Sequence, residues 1–558
     1  MTDYRVETSE QPSVRPEHAP STGQGSPGSA AILVVHGMGQ QIPFETLGAL
    51  AKGLTGQNSH PAAATVTLGD QRLQRIEITV ALPGGRTRDV HIYEAYWAPF
   101  TEGNVTLRDV AGFLFRSGFG GVVSGVRPFE RWMFGRFVRF PAPVRTVLYL
   151  VTALAVLLSL VVLNTLVAAV SAARLPLHDA PRWLSRALFA DLTVVLNLLV
   201  CALVVFGISI LASMQLRRFT ALRMPLGALS ILTFVTALWA TMAAAVFGVL
   251  VVLYHVNRPA AGSVFVDPVG PGGYRILSVA LAGAAAVALL AWTGYVVREI
   301  VQNLEHNKPS RWFTLVVFVT FVALFGSLAW AVASTASGLS GGVWTERLAY
   351  GIAWPLLVVF SLVARRFLIQ YVGDIAVYVQ PQVLDRFYGL RQRIKDSVWR
   401  TAHAVYAAHE YRDVILVGHS LGSVVIYDVL NRLLLDRALG VAHAPEVASR
   451  TRLLLTFGSP LNKTAFIFGG QGDGSESREA LAASLQPLIV DGHARPVWVN
   501  LYSRWDIISG SLDYYDLPNH SNPNWIRNEI DPGATTFLAA HVEYWTGKRL
   551  FEILREHL

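Results

Sequence analysis

The sequence predicts an α/β protein whose mainly parallel sheet is discontinuous in the chain, interrupted by an inserted all-α transmembrane bundle of about six helices. Three observations carry that prediction. The chain is 52% hydrophobic and only 15% charged, and the apolar excess falls between about residues 145 and 370. Mean hydropathy is correspondingly high, at +0.41. On both sides of that region, short apolar runs alternate with helix-like stretches, the pattern of a parallel sheet covered on both faces. The second flank holds Gly418-His419-Ser420-Leu421-Gly422, directly after one such run and directly before a helix.

Residues 1–29 are rich in Pro, Ser, Gly and Glu, too polar to build a core, and are expected to be a disordered tail. No basic start leads into an apolar stretch there, so no secretory signal is expected. Residues 30–98 form the first half of the α/β domain. Within it, Ala31–Val35 reads as a buried strand, and Leu73–Ala81 and Arg88–Trp97 alternate like further strands. Residues 99–145 form a connector. Its segment Leu107–Phe140 mixes Phe113, Phe115, Phe119, Phe129, Trp132, Phe134 and Phe137 with arginines, which suggests an amphipathic segment at a membrane interface; a buried connector is the alternative.

The bundle occupies residues 146–370. A span needs roughly 20 apolar residues, and candidates lie near Thr146–Ala173, Leu188–Ser213, Pro225–His255, Tyr274–Val297, Trp312–Ser337 and Leu348–Ile369. Basic residues cluster before the first span (Arg131, Arg136, Arg139, Arg145), between the second and third (Arg217, Arg218, Arg223) and after the sixth (Arg365, Arg366). The positive-inside rule then puts both polar flanks, and both termini, in the cytoplasm. Residues 371–558 supply the second half-domain: Val383–His409 as a helix, Val414–Val417 as a strand, Val424–Leu430 as a helix, and Leu453–Phe457 and Val497–Tyr502 as strands. The net charge of +8 is accounted for by topology and anionic headgroups. No nucleic-acid motif accompanies it, so membrane lipids are the expected partners, not nucleic acid. One cysteine, Cys201, precludes an intrachain disulfide. No metal-ligand spacing or phosphate loop is present, so no cofactor is expected; oligomeric state is left open.

A strand–turn–helix setting holds a serine hydroxyl out where substrate can reach it, and small flanking residues let the backbone turn. Gly338-Leu339-Ser340-Gly341-Gly342 also fits Gly-x-Ser-x-Gly, yet no strand precedes it and no helix directly follows. A serine needs a base, a group to orient that base, and two N–H donors for the oxyanion. His36-Gly37-Met38-Gly39 follows the first buried strand, where its glycines would let backbone approach a carbonyl. These elements together resemble an α/β-hydrolase of the lipase and esterase type, over roughly residues 30–98 and 373–555.

That resemblance implies that Ser420 is the nucleophile, that the Met38 and Leu421 amides form the oxyanion hole, and that Gly418, His419, Gly422, His36 and Gly37 support the motif. The family's order is nucleophile, acid, histidine. It implies Asp506, just after the strand ending near Tyr502, as the acid, with Asp491, Asp513 and Asp516 as alternatives. His541 is implied as the base, within a terminal His-x-x-Tyr-Trp pattern, with His520 as its rival. His36 is expected to be structural, His493 and His557 to be surface residues, and Ser459 in Phe457-Gly458-Ser459-Pro460 to shape the site. Ordinary family members lack the membrane insertion. The expected function is a membrane-embedded serine hydrolase cleaving an ester, chiefly a lipid or other acyl ester, thioesters included, at the cytoplasmic face. The alternative is a transporter, channel or scaffold with a regulatory or non-catalytic α/β domain.

Overall fold

The computed structural model describes residues 28–38, 42–56, 61–82, 85–101, 106–124, 129–140, 146, 153–163, 165, 183–216, 220–256, 353–367, 376, 378, 385–469, 481–490, 496–516, 525–537 and 539–558. Its centre is an eight-stranded sheet in the order β10-β9-β8-β7-β1-β4-β3-β2. Those strands are β1 (Ala30–Val35), β2 (Ala62–Leu68), β3 (Gln71–Ala81), β4 (Thr87–Ala95), β7 (Asp413–His419), β8 (Thr451–Phe457), β9 (Val497–Tyr502) and β10 (Ile526–Ile530). The pairings from β10 through β4 are parallel, and β3 and β2 add on antiparallel. This is the mainly parallel α/β sheet that the sequence predicts.

The two flanks of the chain build one sheet. Strand β1 lies between β4 of its own half and β7 of the other, with Ala30 beside Asp413 and Val35 beside Gly418. Alternate residues of a strand face opposite sides, and β1 is apolar throughout because both sides are covered. Ala31, Leu33 and Val35 join one core with Ile394, Val398 and Val405 of α6 (Asp385–Ala407) and Val425 and Val429 of α7 (Leu421–Ala438). Ala30, Ile32 and Val34 join the other core, with Leu47 and Leu50 of α1 (Glu45–Thr55) and Leu550 and Leu554 of the C-terminal helix α9 (Lys548–His557). The strand order changes sides at β1, with β4 on one flank and β7 on the other, so the loops after the parallel strands β1 and β7 meet at the carboxyl edge. That is where open α/β sheets form their crevice.

The connector is a helix, α2 (Leu107–Ser124), followed by a hairpin of β5 (Phe129–Met133) and β6 (Arg136–Phe140). Val110, Phe113, Leu114, Met133, Val138 and Phe140 are buried in the first core. The hairpin docks through the Phe134 amide on the Ile489 carbonyl and through Arg131 on the Tyr514 carbonyl. Burial against the α/β domain accounts for much of its aromatic content, although Phe115 remains exposed.

Among the described residues, two helices are long and apolar enough to cross a membrane, in place of a six-helix bundle: Asp191–Gln215 within α3 (Trp183–Gln215) and Pro225–Val252 within α4 (Thr220–Val256). They match the second and third expected spans and pack on one another, with the Ser209 and Ser230 hydroxyls 2.9 Å apart. The first and sixth expected spans are described in part, as the shorter helices Ala153–Leu163 and α5 (Ala353–Phe367). The spans expected at 274–297 and 312–337, the tail 1–27 and the second Gly-x-Ser-x-Gly copy lie outside the described residues.

Candidate active site

Ser420 stands at the junction of β7 and α7 with φ 52° and ψ −129°. A serine at positive φ costs energy and persists only where its surroundings fix it. They do so here: the Ser420 amide donates to the Phe457 carbonyl at 3.0 Å, and the Ser423 amide donates to the Ser420 carbonyl at 3.0 Å. The Ser423 hydroxyl also donates to that carbonyl, at 2.5 Å, and lies 2.6 Å from the Ser459 hydroxyl. Glycine is required on both sides. A Cβ at Gly422 would collide with the carbonyl oxygens of Val35 and His36, and one at Gly37 would sit 2.8 Å from the Ser420 Cβ. The loop after β1 thus lies directly against the serine.

The structure brings together the three residues expected to do the chemistry. His541 Nε2 is 2.8 Å from Ser420 Oγ, and His541 Nδ1 is 2.9 Å from Asp506 Oδ2. With the ionised carboxylate accepting a hydrogen bond from Nδ1–H, the Nε2 lone pair faces the serine hydroxyl, which donates to it. His541 sits in the helical turn Ala540–Glu543, and Asp506 in the loop after β9. All three are buried. Asp506 Oδ1 also accepts the Ile508 amide at 2.8 Å, and Oδ2 accepts the Tyr544 hydroxyl at 3.0 Å. Burial pushes this carboxyl up, but the His541 ring, the Ile508 amide and the Lys463 charge outweigh it and hold its pKa down at about 2.

The other histidines near the site are neutral supports. The Trp97 amide donates to His36 Nε2 at 2.9 Å, so the proton is on Nδ1, 2.9 Å from the Gly37 carbonyl. The Trp97 indole stacks on the ring and donates to the His36 carbonyl. Burial lowers the His36 pKa to about 4. His36 therefore shapes the loop and is not the base. His419 is lowered to about 3, first by burial and then by the nearby His541. Its Nε2 donates to the His541 backbone carbonyl at 3.0 Å, fixing the turn that carries the base.

Leu421 opens α7, where the first amides of a helix lack intrahelical partners and the dipole is positive. Met38 is buried, one peptide beyond the glycine that touches Ser420. Both amides are thus carried on segments that abut the nucleophile. Asp513 and Asp516 are engaged elsewhere, with the Ser511 hydroxyl and the Ile526 amide, and His557 Nδ1 donates to the Ile553 carbonyl within α9. Asp491, His493, His520 and Gly39 lie outside the described residues.

Three contributors were not assigned from sequence. The Tyr544 hydroxyl binds Asp506 and lies 3.0 Å from the Ser509 hydroxyl; its signal was the His-x-x-Tyr-Trp pattern. The Ser423 hydroxyl braces the elbow, one residue beyond the motif's last glycine. Lys463, on α8 (Leu461–Gly469), donates its ammonium to the carbonyls of Ile507, Ile508 and Ser509, clasping the loop behind Asp506. No local pattern marks Lys463. Among the described residues, no cluster of three or more His, Cys, Asp or Glu side chains could hold a metal ion. No family model, curated protein or solved structure matches this chain.

Proposed function

We propose that the protein is a membrane-embedded serine hydrolase of the α/β-hydrolase type, cleaving an ester by a Ser-His-Asp mechanism. The observation that carries this reading is the continuous hydrogen-bonded chain from Ser420 through His541 to Asp506, with the serine held at positive φ. Ser420 Oγ attacks the acyl carbon as His541 Nε2 takes its proton. Asp506 holds the imidazole in the reactive tautomer and stabilises the imidazolium that forms. The Met38 and Leu421 amides receive the oxyanion. His541 then protonates the leaving alcohol, and water, deprotonated by the same nitrogen, releases the acid and restores Ser420.

The ester is a lipid or another acyl ester met at the cytoplasmic leaflet. Two span-length helices support this placement, as does the arginine cluster Arg217, Arg218 and Arg223 between them. An enzyme fixed beside a bilayer meets acyl chains at high local concentration. Six spans carry the chain through the bilayer, with both halves of the α/β domain on the cytoplasmic side.

A fluorophosphonate probe tests the chemistry. Wild-type protein labels on Ser420, and Ser420→Ala abolishes both labelling and hydrolysis of p-nitrophenyl esters. An unlabelled wild type, or equal labelling of Ser420→Ala, overturns the assignment.

A further inference from the structure

Helix α4 touches the α/β domain at the two segments that carry the acid and the base. About two turns from its first residue, Gly227 lies under the indole of Trp505, the residue before Asp506; a Cβ on Gly227 would stand 2.5 Å from the indole Cη2. Two turns further along, the Phe234 ring meets the Phe537 ring edge-on at 5.4 Å, in the segment that leads into the His541 turn. Phe206 of α3 backs Phe234 at 5.5 Å. The Trp505 backbone is fixed beside Asp506. Its amide donates to the Ser503 hydroxyl at 3.1 Å, and the next amide, of Asp506, donates to the Ser503 carbonyl.

We propose that α4 is a positioning element of the catalytic site and not only an anchor: Gly227 and Phe234 seat Trp505 and Phe537, and so hold Asp506 and His541 in register with Ser420. This rests on the hydrolase reading above and deepens it, because it makes the apolar helix a means of controlling the site. A shift of α4 along its axis carries both supports with it. Catalysis then depends on the lipid environment that seats the helix. Gly227 has a specific reason to be glycine, since no other residue lets the indole lie on the helix backbone.

The test uses the full-length chain in phospholipid nanodiscs, with p-nitrophenyl butyrate turnover and the rate of fluorophosphonate labelling as readouts. Gly227→Ala pushes the indole away. A misplacement of about 1 Å costs up to about a hundredfold, so kcat and labelling rate fall by roughly ten- to a hundredfold while KM stays within about twofold. Trp505→Phe removes the ring atoms that the new methyl meets, so the double variant recovers rate relative to Gly227→Ala. Val246→Ala, on the same helix at a position 59% exposed, leaves both rates unchanged. If Gly227→Ala does not accumulate, Phe234→Ala, which adds no bulk, must show the same loss in kcat. Wild-type rates in Gly227→Ala or Phe234→Ala overturn the proposal, as does a double variant no faster than Gly227→Ala. An unlabelled wild type refutes the hydrolase reading itself, so the two failures are distinguishable.

Discussion

His36 and His419 are buried and uncharged, with pKa values lowered to about 4 and about 3. In the unfolded chain each takes up a proton near pH 6.5, so the unfolded state binds more protons below that pH. Their stabilising contribution is complete above about 6.5 and declines as the pH falls, by about 1.4 kcal/mol per unit for each group. Glu94, raised by burial to about 7, works in the opposite direction over part of the same range. The comparison that isolates His419 is therefore between variants: His419→Gln flattens the dependence of unfolding free energy on pH, between about 6 and 4, by about 1.4 kcal/mol per unit. An unchanged slope shows that His419 is not neutral in the fold. Tyr544→Phe removes a hydrogen bond to the Asp506 carboxylate and costs about 1.5–3 kcal/mol, read as a lower melting temperature together with a lower kcat. The cluster of Ser420, His541 and Asp506 was legible because a strand–turn–helix with small neighbours singles out Ser420, and the resemblance to α/β-hydrolases supplies the order of its two partners. Lys463 was not legible: a single amine acting on distant backbone carbonyls leaves no local pattern.

Among the elements, β1 was legible because burial on both faces forces an unbroken apolar run. Strand β2, Ala62–Leu68, is not legible in the sequence because it is an exposed edge with no fully buried residue. The β5–β6 hairpin carries no turn signal of its own in the sequence, where aromatics mixed with arginines suggest an interfacial segment or a buried connector. Phe134 and Gly135 both have positive φ, at 50° and 77°, where Asn-Gly would have announced a hairpin. The Phe134 ring stacks on Trp525, which explains an aromatic at a strained position. Glycines separate by the element that holds them. Gly48 in α1 has open space around a would-be Cβ, so Gly48→Ala adds about 0.5–1 kcal/mol of stability. Gly422→Ala drives a methyl into the β1 carbonyls, and no labelled, folded protein is expected. Thermal denaturation and probe labelling of the two variants check this contrast.

Across the whole molecule, the two chain segments are bound side by side as well as strand to strand. Arg75 on β3, 4% exposed, reaches Glu410 at 3.0 Å and the Tyr411 hydroxyl at 2.9 Å, and Arg88 on β4 pairs with Asp413 at 2.5 Å. Removing one partner of a buried pair costs about 3–5 kcal/mol, and Arg75→Met is expected to lower stability by that order. The loss falls on both segments at once. Circular dichroism and the decay of Ser420 labelling should report one coincident transition; separate transitions would mean the segments fold apart. That a split α/β domain exists was legible from apolar patterning. Which strands meet was not, because register between distant segments is decided by packing that no local window contains.

The pairing of β1 with β7 also bears on how the protein is made. A ribosome adds about 5–20 residues per second, so roughly 20–80 seconds pass between the emergence of Ala30 and that of Asp413, its neighbour in the sheet. Throughout that interval the run Ala30–Val35, apolar on both faces, has one hydrogen-bonding edge open while the long apolar helices between the two segments are being synthesised. An open apolar edge is a template for pairing with another chain. Birth of this protein therefore includes a waiting period, during which the nascent first segment must be shielded from its neighbours until the last third of the chain arrives to close it.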